Sequence, residues 1–274
     1  MFLHFFGLVL FSLLCVSSAH AARELVIGLL PYQPVRALIS NHTPLAAHLQ
    51  KTLKRPVRLV TAKDTRVFGQ RMLAGNYELV LAPAHLARLA QVDRGWQPLA
   101  RYQPDTSVVL LARNGEDAIT PADLRGKVLA VPDRAMLVTV VSEAWLEHQH
   151  LLAGRDFTLL VTGGFSSALH ALTSGRADMA LGVESGMEQA RIESLDQLRI
   201  VEEVGTIPSL VFAARHDVPP AMRDQILRAL LAYRSPTPLC LTAIGELDLI
   251  DMDTHLPMTR QRLGTPSLPT AALQ

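Results

Sequence analysis

The sequence predicts an α/β protein of two lobes, each a mainly parallel sheet flanked by helices, and two observations carry that prediction. The first is a phrase that occurs twice. Leu59-Val60-Thr61, a helical stretch and Gly75-x-x-Glu78-Leu79-Val80-Leu81 return one lobe later as Leu160-Val161-Thr162, a helical stretch and Gly175-x-x-Asp178-Met179-Ala180-Leu181. The second is that short apolar runs alternate with helical periodicity along the chain, as crossover units require. In each copy an apolar strand enters a turn, a helix closes on a glycine able to take the left-handed cap, and an acidic residue precedes a second buried strand. Right-handed crossovers of this kind build parallel sheets, and two sheets side by side leave a cleft at strand ends and helix N-termini.

The elements follow in order. Glu24 to Leu30 is an apolar run ending at Pro31-Tyr32, the first strand. Leu38, Leu45, Leu49 and Leu53 keep near-helical spacing between Pro34 and Arg55-Pro56. Val57 to Thr61 is the next strand, and Asp64 is placed to cap a helix through Val67, Met72 and Leu73. After a strand at Leu79 to Leu81, Pro83 opens a helix from Ala84 to Val92 that Gly95 ends, and Pro98 to Tyr102 is another strand. Thr106 to Arg113 is a dense strand, and the change of lobe is expected between Pro104 and Asn114.

In the second lobe, Thr120-Pro121-Ala122-Asp123-Leu124-Arg125-Gly126 spells a one-turn helix with a threonine cap, proline at its first position and glycine at its end. A strand at Val128 to Val131, a helix from Ala135 to Gln149, a strand at Thr158 to Thr162, a helix after Gly163-Gly164 and a strand at Met179 to Val183 follow. Leu198 to Val201 is a further short strand. Pro208 to Arg215 is an apolar return to the first lobe, before a helix from Pro220 to Tyr233. From Pro236 the chain is rich in Pro and Thr and weakly periodic, which reads as a surface-wrapping or mobile tail. The expected division is 22–104 plus 206–250 for lobe one, 105–205 for lobe two and 251–274 for the tail.

Residues 1–21 read as a secretory signal peptide: an apolar run from Phe2 to Val16, small Ser17 and Ser18, and an Ala19-His20-Ala21 cleavage pattern. Export to the periplasm with cleavage after Ala21 is the expectation. The segment carries His4 but neither Lys nor Arg, and its apolar run is shorter than the roughly 20 residues a membrane span needs. Once it is removed Cys240 is the lone cysteine, which excludes an intramolecular disulfide and a cysteine metal cluster. The remaining chain of about 250 residues is ample for two lobes with separate cores, and a monomer is expected. With 26 basic and 25 acidic residues the chain has only a slight basic excess and no basic patch, so nucleic acid is not an expected partner.

With those residues in place the chain resembles the periplasmic solute-binding proteins of type II, and within them the phosphate, phosphite and phosphonate-binding (PhnD-like) family of ABC transporters. The resemblance runs from Glu24 to Tyr233. It is carried by Leu25-Val26-Ile27-Gly28-Leu29-Leu30-Pro31-Tyr32, Pro44-Leu45-Ala46-x-x-Leu49, Gly75-x-x-Glu78-Leu79, Asp123-Leu124-Arg125-Gly126-Lys127-Val128, Val131-Pro132-Asp133 and Ala168-Leu169-x-Ala171-Leu172-x-x-Gly175-x-Ala177-Asp178. It implies a two-lobed clamp that hands a solute to a membrane permease. The family's Ser-Thr-Ser anion-binding run, however, corresponds here to Arg134-Ala135-Met136-Leu137. Thr65 replaces an expected Tyr, Ala82 an expected aromatic, and Phe165 the family's His. Phosphonate specificity is therefore not carried over.

Candidate ligand residues come from the turns after the strands. Tyr32 offers a ring face and a hydroxyl, or is a core or rim tyrosine. Thr65 sits beside the cap Asp64, and His85 lies in the first turn after Pro83. Arg134 offers a bidentate contact to an oxyanion, or is a solvated surface arginine. Ser166 and Ser167 open the helix of the second repeat behind two glycines, as ligand groups or as N-caps. Glu184 follows the last repeat strand and could meet a cationic group or cap the next helix. Met136, Leu137 and Phe165 make the site more apolar than one for inorganic phosphate, which favours an anion with an organic part.

The chain has no Gly-x-Ser-x-Gly, His-Glu-x-x-His or P-loop pattern, so an enzyme is not expected, and neither a cofactor nor a metal. The expected function is the periplasmic substrate-binding component of an ABC-type transporter for a small anionic solute. The alternative is a ligand-sensing partner of a membrane sensor kinase or cyclase.

Overall fold

The computed structural model describes residues 23–115, 120–184, 195–234, 240–244 and 249–265. The expected signal segment with its cleavage point, and residues 266–274, lie outside the described residues. Two sheets organise the chain. The first holds β1 (Leu25–Leu29), β2 (Val57–Val60), β3 (Leu79–Ala82), β4 (Gln97–Gln103), β10 (Val211–Ala214) and β11 (Cys240–Ala243), in the order β11-β4-β10-β3-β1-β2. The second holds β5 (Thr106–Arg113), β6 (Val128–Val131), β7 (Thr158–Val161), β8 (Met179–Val183) and β9 (Leu198–Ile207), in the order β7-β6-β8-β5-β9.

The doubled phrase is a doubled topology. In each sheet the strand that precedes the repeated phrase lies between the phrase's own two strands and parallel to both, β2-β1-β3 in one and β7-β6-β8 in the other. Beyond each triplet the pairing turns antiparallel, and here the sheets exchange chain. β4 leads directly into β5, which pairs with β8 and β9, and β9 leads into β10, which pairs with β3 and β4. The polypeptide thus crosses between sheets twice.

Both faces of the central strands are covered, which is why they read as continuous apolar runs rather than alternating ones. On β3, Leu79 and Leu81 face a cluster formed by α1 (Val35–Leu53) and α6 (Pro220–Ala232), through Leu38, Leu45, Leu49, Ile226 and Leu230. Its Val80 and Ala82 join the opposite cluster, with α2 (Thr65–Leu73) and α3 (Ala84–Arg94) contributing Phe68, Met72, Leu86 and Leu89. That second cluster does not stop at the first sheet: it continues through Val108, Leu110, Leu129 and Val131 of the second and through Met136 and Leu137. The outer face of the second sheet is closed by α5 (Phe165–Thr173), whose Ala168, Leu169 and Leu172 meet Val109, Leu111 and Ala130.

Local signals read from the sequence hold where side chains act on their own backbone. Asp64 Oδ1 accepts the Val67 amide at 2.7 Å as the cap of α2, and Gly95 ends α3 at φ 66°. Three elements depart from the expectation. The helix after β6, α4, spans Leu137–His148 instead of beginning at Ala135, because Asp133 Oδ1 takes the Ala135 amide at 2.8 Å and holds that residue in the turn. The strand expected over Leu198 to Val201 runs ten residues to Ile207, since exposed polar residues, Glu202 and Glu203 among them, interrupt it and hide it from an apolar-run reading.

The third departure is the tail. It carries β11 on the edge of the first sheet, a 3-10 turn at Ile250–His255 and α7 (Leu256–Leu263). Leu249, Met252, Leu256 and Leu263 bury themselves against the first lobe. Ion pairs Arg88–Asp253 and Arg260–Asp93, both 2.7 Å, pin the segment to α3.

Candidate functional site

All the candidate residues lie where parallel strands end. Tyr32 follows β1, Thr65 follows β2, His85 follows β3, Arg134 follows β6, Ser166 and Ser167 follow β7, and Glu184 follows β8. The carboxyl ends of parallel strands are where open α/β sheets collect ligands, since helix N-termini and free amides point there.

Two of these residues meet the opposite lobe. The Thr65 amide, at the first position of α2, donates to Asp133 Oδ2 at 3.2 Å. The other oxygen of that carboxylate accepts from Ala135 N, so one anionic group is held between backbone amides of both lobes. Thr65 is 1 % exposed, and its hydroxyl is buried without a hydrogen-bond partner. His85, fully buried, donates from Nε2 to the Ala135 carbonyl at 3.0 Å. A carbonyl only accepts, so the proton is on Nε2, and Nδ1 is left without a partner. Burial lowers the His85 pKa to about 4, so the ring is neutral in ordinary buffers.

Other candidates are placed elsewhere. Arg134 is exposed and pairs with Glu143 of α4 at 3.3 Å. Tyr32 is half-buried, edge-on to His42 at 6.3 Å, and burial pushes its phenol up to about 12. Ser166 and Ser167 are exposed in the first turn of α5, where Gly164 holds the cap position with no side-chain cap bond. Gly163, at φ 88°, supplies the left-handed turn that leads into it. Glu184 is exposed at the end of β8.

Two residues without an assigned role in the sequence reading prove central to the junction. Asp133 was legible only as part of the turn Val131-Pro132-Asp133; its reach to Thr65 depends on a residue 68 positions away. Arg262 lies in the segment read as a tail, yet it forms an ion pair with Glu143, both side chains largely buried. Two surface hollows lie away from this junction, one lined by Thr120, Arg125, Trp145 and Glu202, the other by Arg55, Glu78, Arg215 and Met222. Among the described residues no group of His, Cys, Asp and Glu is arranged to hold a metal, and no helix is long and apolar enough to cross a membrane.

Comparison with known proteins bears on this arrangement. Similar folds include a binding-protein component of an ABC phosphonate transporter from Pseudomonas aeruginosa, at TM-score 0.76 and 13% identity over 90% of each chain. PhnD1 from Prochlorococcus marinus, solved with methylphosphonate, superposes at TM-score 0.73 and 10% identity over 89% of this chain and 99% of that one. A Xanthomonas citri protein solved bound to ATP gives 0.67 and 15% over 87% and 98%. At these identities the likeness establishes the two-lobed binding-protein fold alone. No curated protein sequence matches the chain. The sequence profile described as "ABC transporter, phosphonate, periplasmic substrate-binding protein" matches residues 27–244, most of the chain. The chain therefore belongs to the family of periplasmic substrate-binding proteins of phosphonate ABC transporters.

Proposed function

We propose that the chain is the solute-receiving subunit of an ABC-type importer and that it takes a small anion with an organic part between the carboxyl ends of its two sheets. One observation carries the reading: amides of opposite lobes, Thr65 N and Ala135 N, already converge on a single carboxylate. Amides at a helix start favour anions whatever side chains surround them. Two of the structural neighbours were solved with anions, one with methylphosphonate and the Xanthomonas protein with ATP and, in a second form, chloride, while others were solved with arginine. Met136 and Leu137, both buried beside the junction, favour a solute with an apolar portion over a bare oxyanion. Ser166, Ser167 and Glu184, exposed at strand ends of the second lobe, are proposed as further contacts, with Tyr32 on the first.

Thermal-shift and calorimetric screens of the mature protein against alkylphosphonates, phosphite, inorganic phosphate, sulfonates, carboxylates and amino acids test this. Stabilisation by at least one anion is expected. The variant Ser166→Ala/Ser167→Ala should weaken that anion about tenfold, the loss of roughly one charge-assisted hydrogen bond. If only cationic or neutral solutes stabilise the protein, the anion assignment is wrong.

A further inference from the structure

We propose that the protein closes on itself without solute, with the Asp133 carboxylate standing as a tethered anion at the start of α2 that an incoming anionic solute must displace. The inference rests on the solute reading above and adds how that site is regulated.

Among the described residues, the following contacts join the lobes away from the crossing strands. Asp133 Oδ2 takes the Thr65 amide, His85 Nε2 donates to Ala135 O, and Arg262 of α7 pairs with Glu143 of α4. The first is the informative one. The N1 amide of a helix has no partner within its helix, and the positive end of the helix dipole draws an anion to it. In α2 the nearby Asp64 carboxylate is already committed to Val67 N, so Thr65 N has no acceptor on its own element, and the opposite lobe supplies one. Asp133 is fixed in position to accept it. Its second oxygen is held by Ala135 N at 2.8 Å, and its own carbonyl accepts from Met136 N at 3.2 Å. The buried, unpartnered Thr65 hydroxyl lies on the same residue and marks a polar position that Asp133 leaves unsatisfied.

The third contact explains how closure is held. α7 is fastened to the first lobe by Gln70 Nε2 donating to Leu263 O at 2.7 Å and by Arg260 on Asp93. From that anchored helix Arg262 reaches Glu143 of the second lobe, and Glu143 also receives Arg134. The C-terminal helix is therefore a strap across the junction. A solute anion placed near Thr65 N would meet the like charge of Asp133, so binding requires that carboxylate to leave, which couples entry of solute to release of a cross-lobe bond.

Small-angle scattering of the mature protein in solute-free buffer, with calorimetry against methylphosphonate and inorganic phosphate, tests the proposal. Wild type is expected to scatter, before any solute is added, as a particle whose lobes are joined by these contacts. Asp133→Ala and Arg262→Gln should each scatter as a more extended particle, and Asp133→Ala should bind either probe at least about tenfold tighter than wild type. Solute-free wild type that is extended, or variants that scatter as wild type does, would overturn it. Should Asp133→Ala fail to fold by circular dichroism, Arg262→Gln decides by the same scattering: expansion supports the strap, and an unchanged profile removes it. The scattering arm involves no solute, so a failure of both probes to bind counts against the transport reading and leaves self-closure to be judged on its own.

Discussion

Glu78 and Asp178 hold equivalent places in the two lobes, each clasping the central strand of its parallel triplet, β1 or β6, near that strand's start. Glu78 donates its amide to the Val26 carbonyl at 3.1 Å, and its Oε2 accepts the Val26 amide at 3.3 Å. Asp178 does the same to Val128, at 2.9 Å and 2.8 Å. The acidic residue of the repeated phrase is thus a cross-strand clamp, and its repetition has a structural cause. The first lobe adds Arg55, whose Nη2 reaches both Glu78 oxygens at 2.9 and 3.0 Å, with the two side chains 11% and 10% exposed. Asp178→Ala is expected to cost about 1–2 kcal/mol by orphaning the Val128 amide. Arg55→Met should cost more, roughly 3 kcal/mol, because it leaves a buried carboxylate with only the exposed Arg23, 4.0 Å away, as a cation. Urea unfolding of the two variants measures both, and equal small losses would remove the pairing argument.

Acid should destabilise the protein through His85. Its folded pKa, lowered by burial to about 4, lies below the ordinary value of 6.5, so the unfolded chain binds more protons in between. Its contribution is whole above pH 6.5, falls as pH drops through that window, and levels off below pH 4, with a full span of about 3 kcal/mol. Burial lowers the pKa of His42 and His255 too, so they act with the same sign. His85→Gln should flatten, without abolishing, the decline of the urea midpoint on acidification.

Packing of the C-terminal helix on α2 is tight at one point. A Cβ added to Gly69 would stand 2.7 Å from Leu263 Cδ2, and Leu263 is fully buried with no free direction to swing. Gly69→Ala is expected to destabilise by about 1–3 kcal/mol. Leu263→Ala, which opens a cavity, should cost about 2–4 kcal/mol. The double variant should lose clearly less than the sum, since each change relieves the other. Additive losses in chemical denaturation would show that the two do not touch in solution.

Ending the chain after Ile244 should expose the face of α2 and α3 that Leu249, Met252, Leu256 and Leu263 cover. Burial of four such side chains is worth of order 5 kcal/mol, so a lowered melting temperature and binding of a hydrophobic dye are expected. A truncated protein with unchanged melting would make the segment an accessory.

The fold was legible because its signals are local. Asp64 as a cap, Gly95 as a stop and the twofold phrase each act within a few residues, and the structure reproduces them. What escaped was encoded in partners distant in sequence. β9 hides its length because, as an edge strand, it carries exposed Glu202 and Glu203 among apolar residues. α7 was obscured by Pro257 and its short length, while its anchors are Asp93 and Gln70 on other helices.

The sequence by itself determined two sheets of the same plan and put every candidate residue at the end of a parallel strand, since periodicity, capping and glycine placement depend on near neighbours. Tertiary structure alone decided which residues meet across the lobes: Thr65 with Asp133, His85 with Ala135, and Arg262 with Glu143. Such pairings depend on how two lobes are set against one another through chain crossings at β4–β5 and β9–β10, and no local pattern of residues records that geometry.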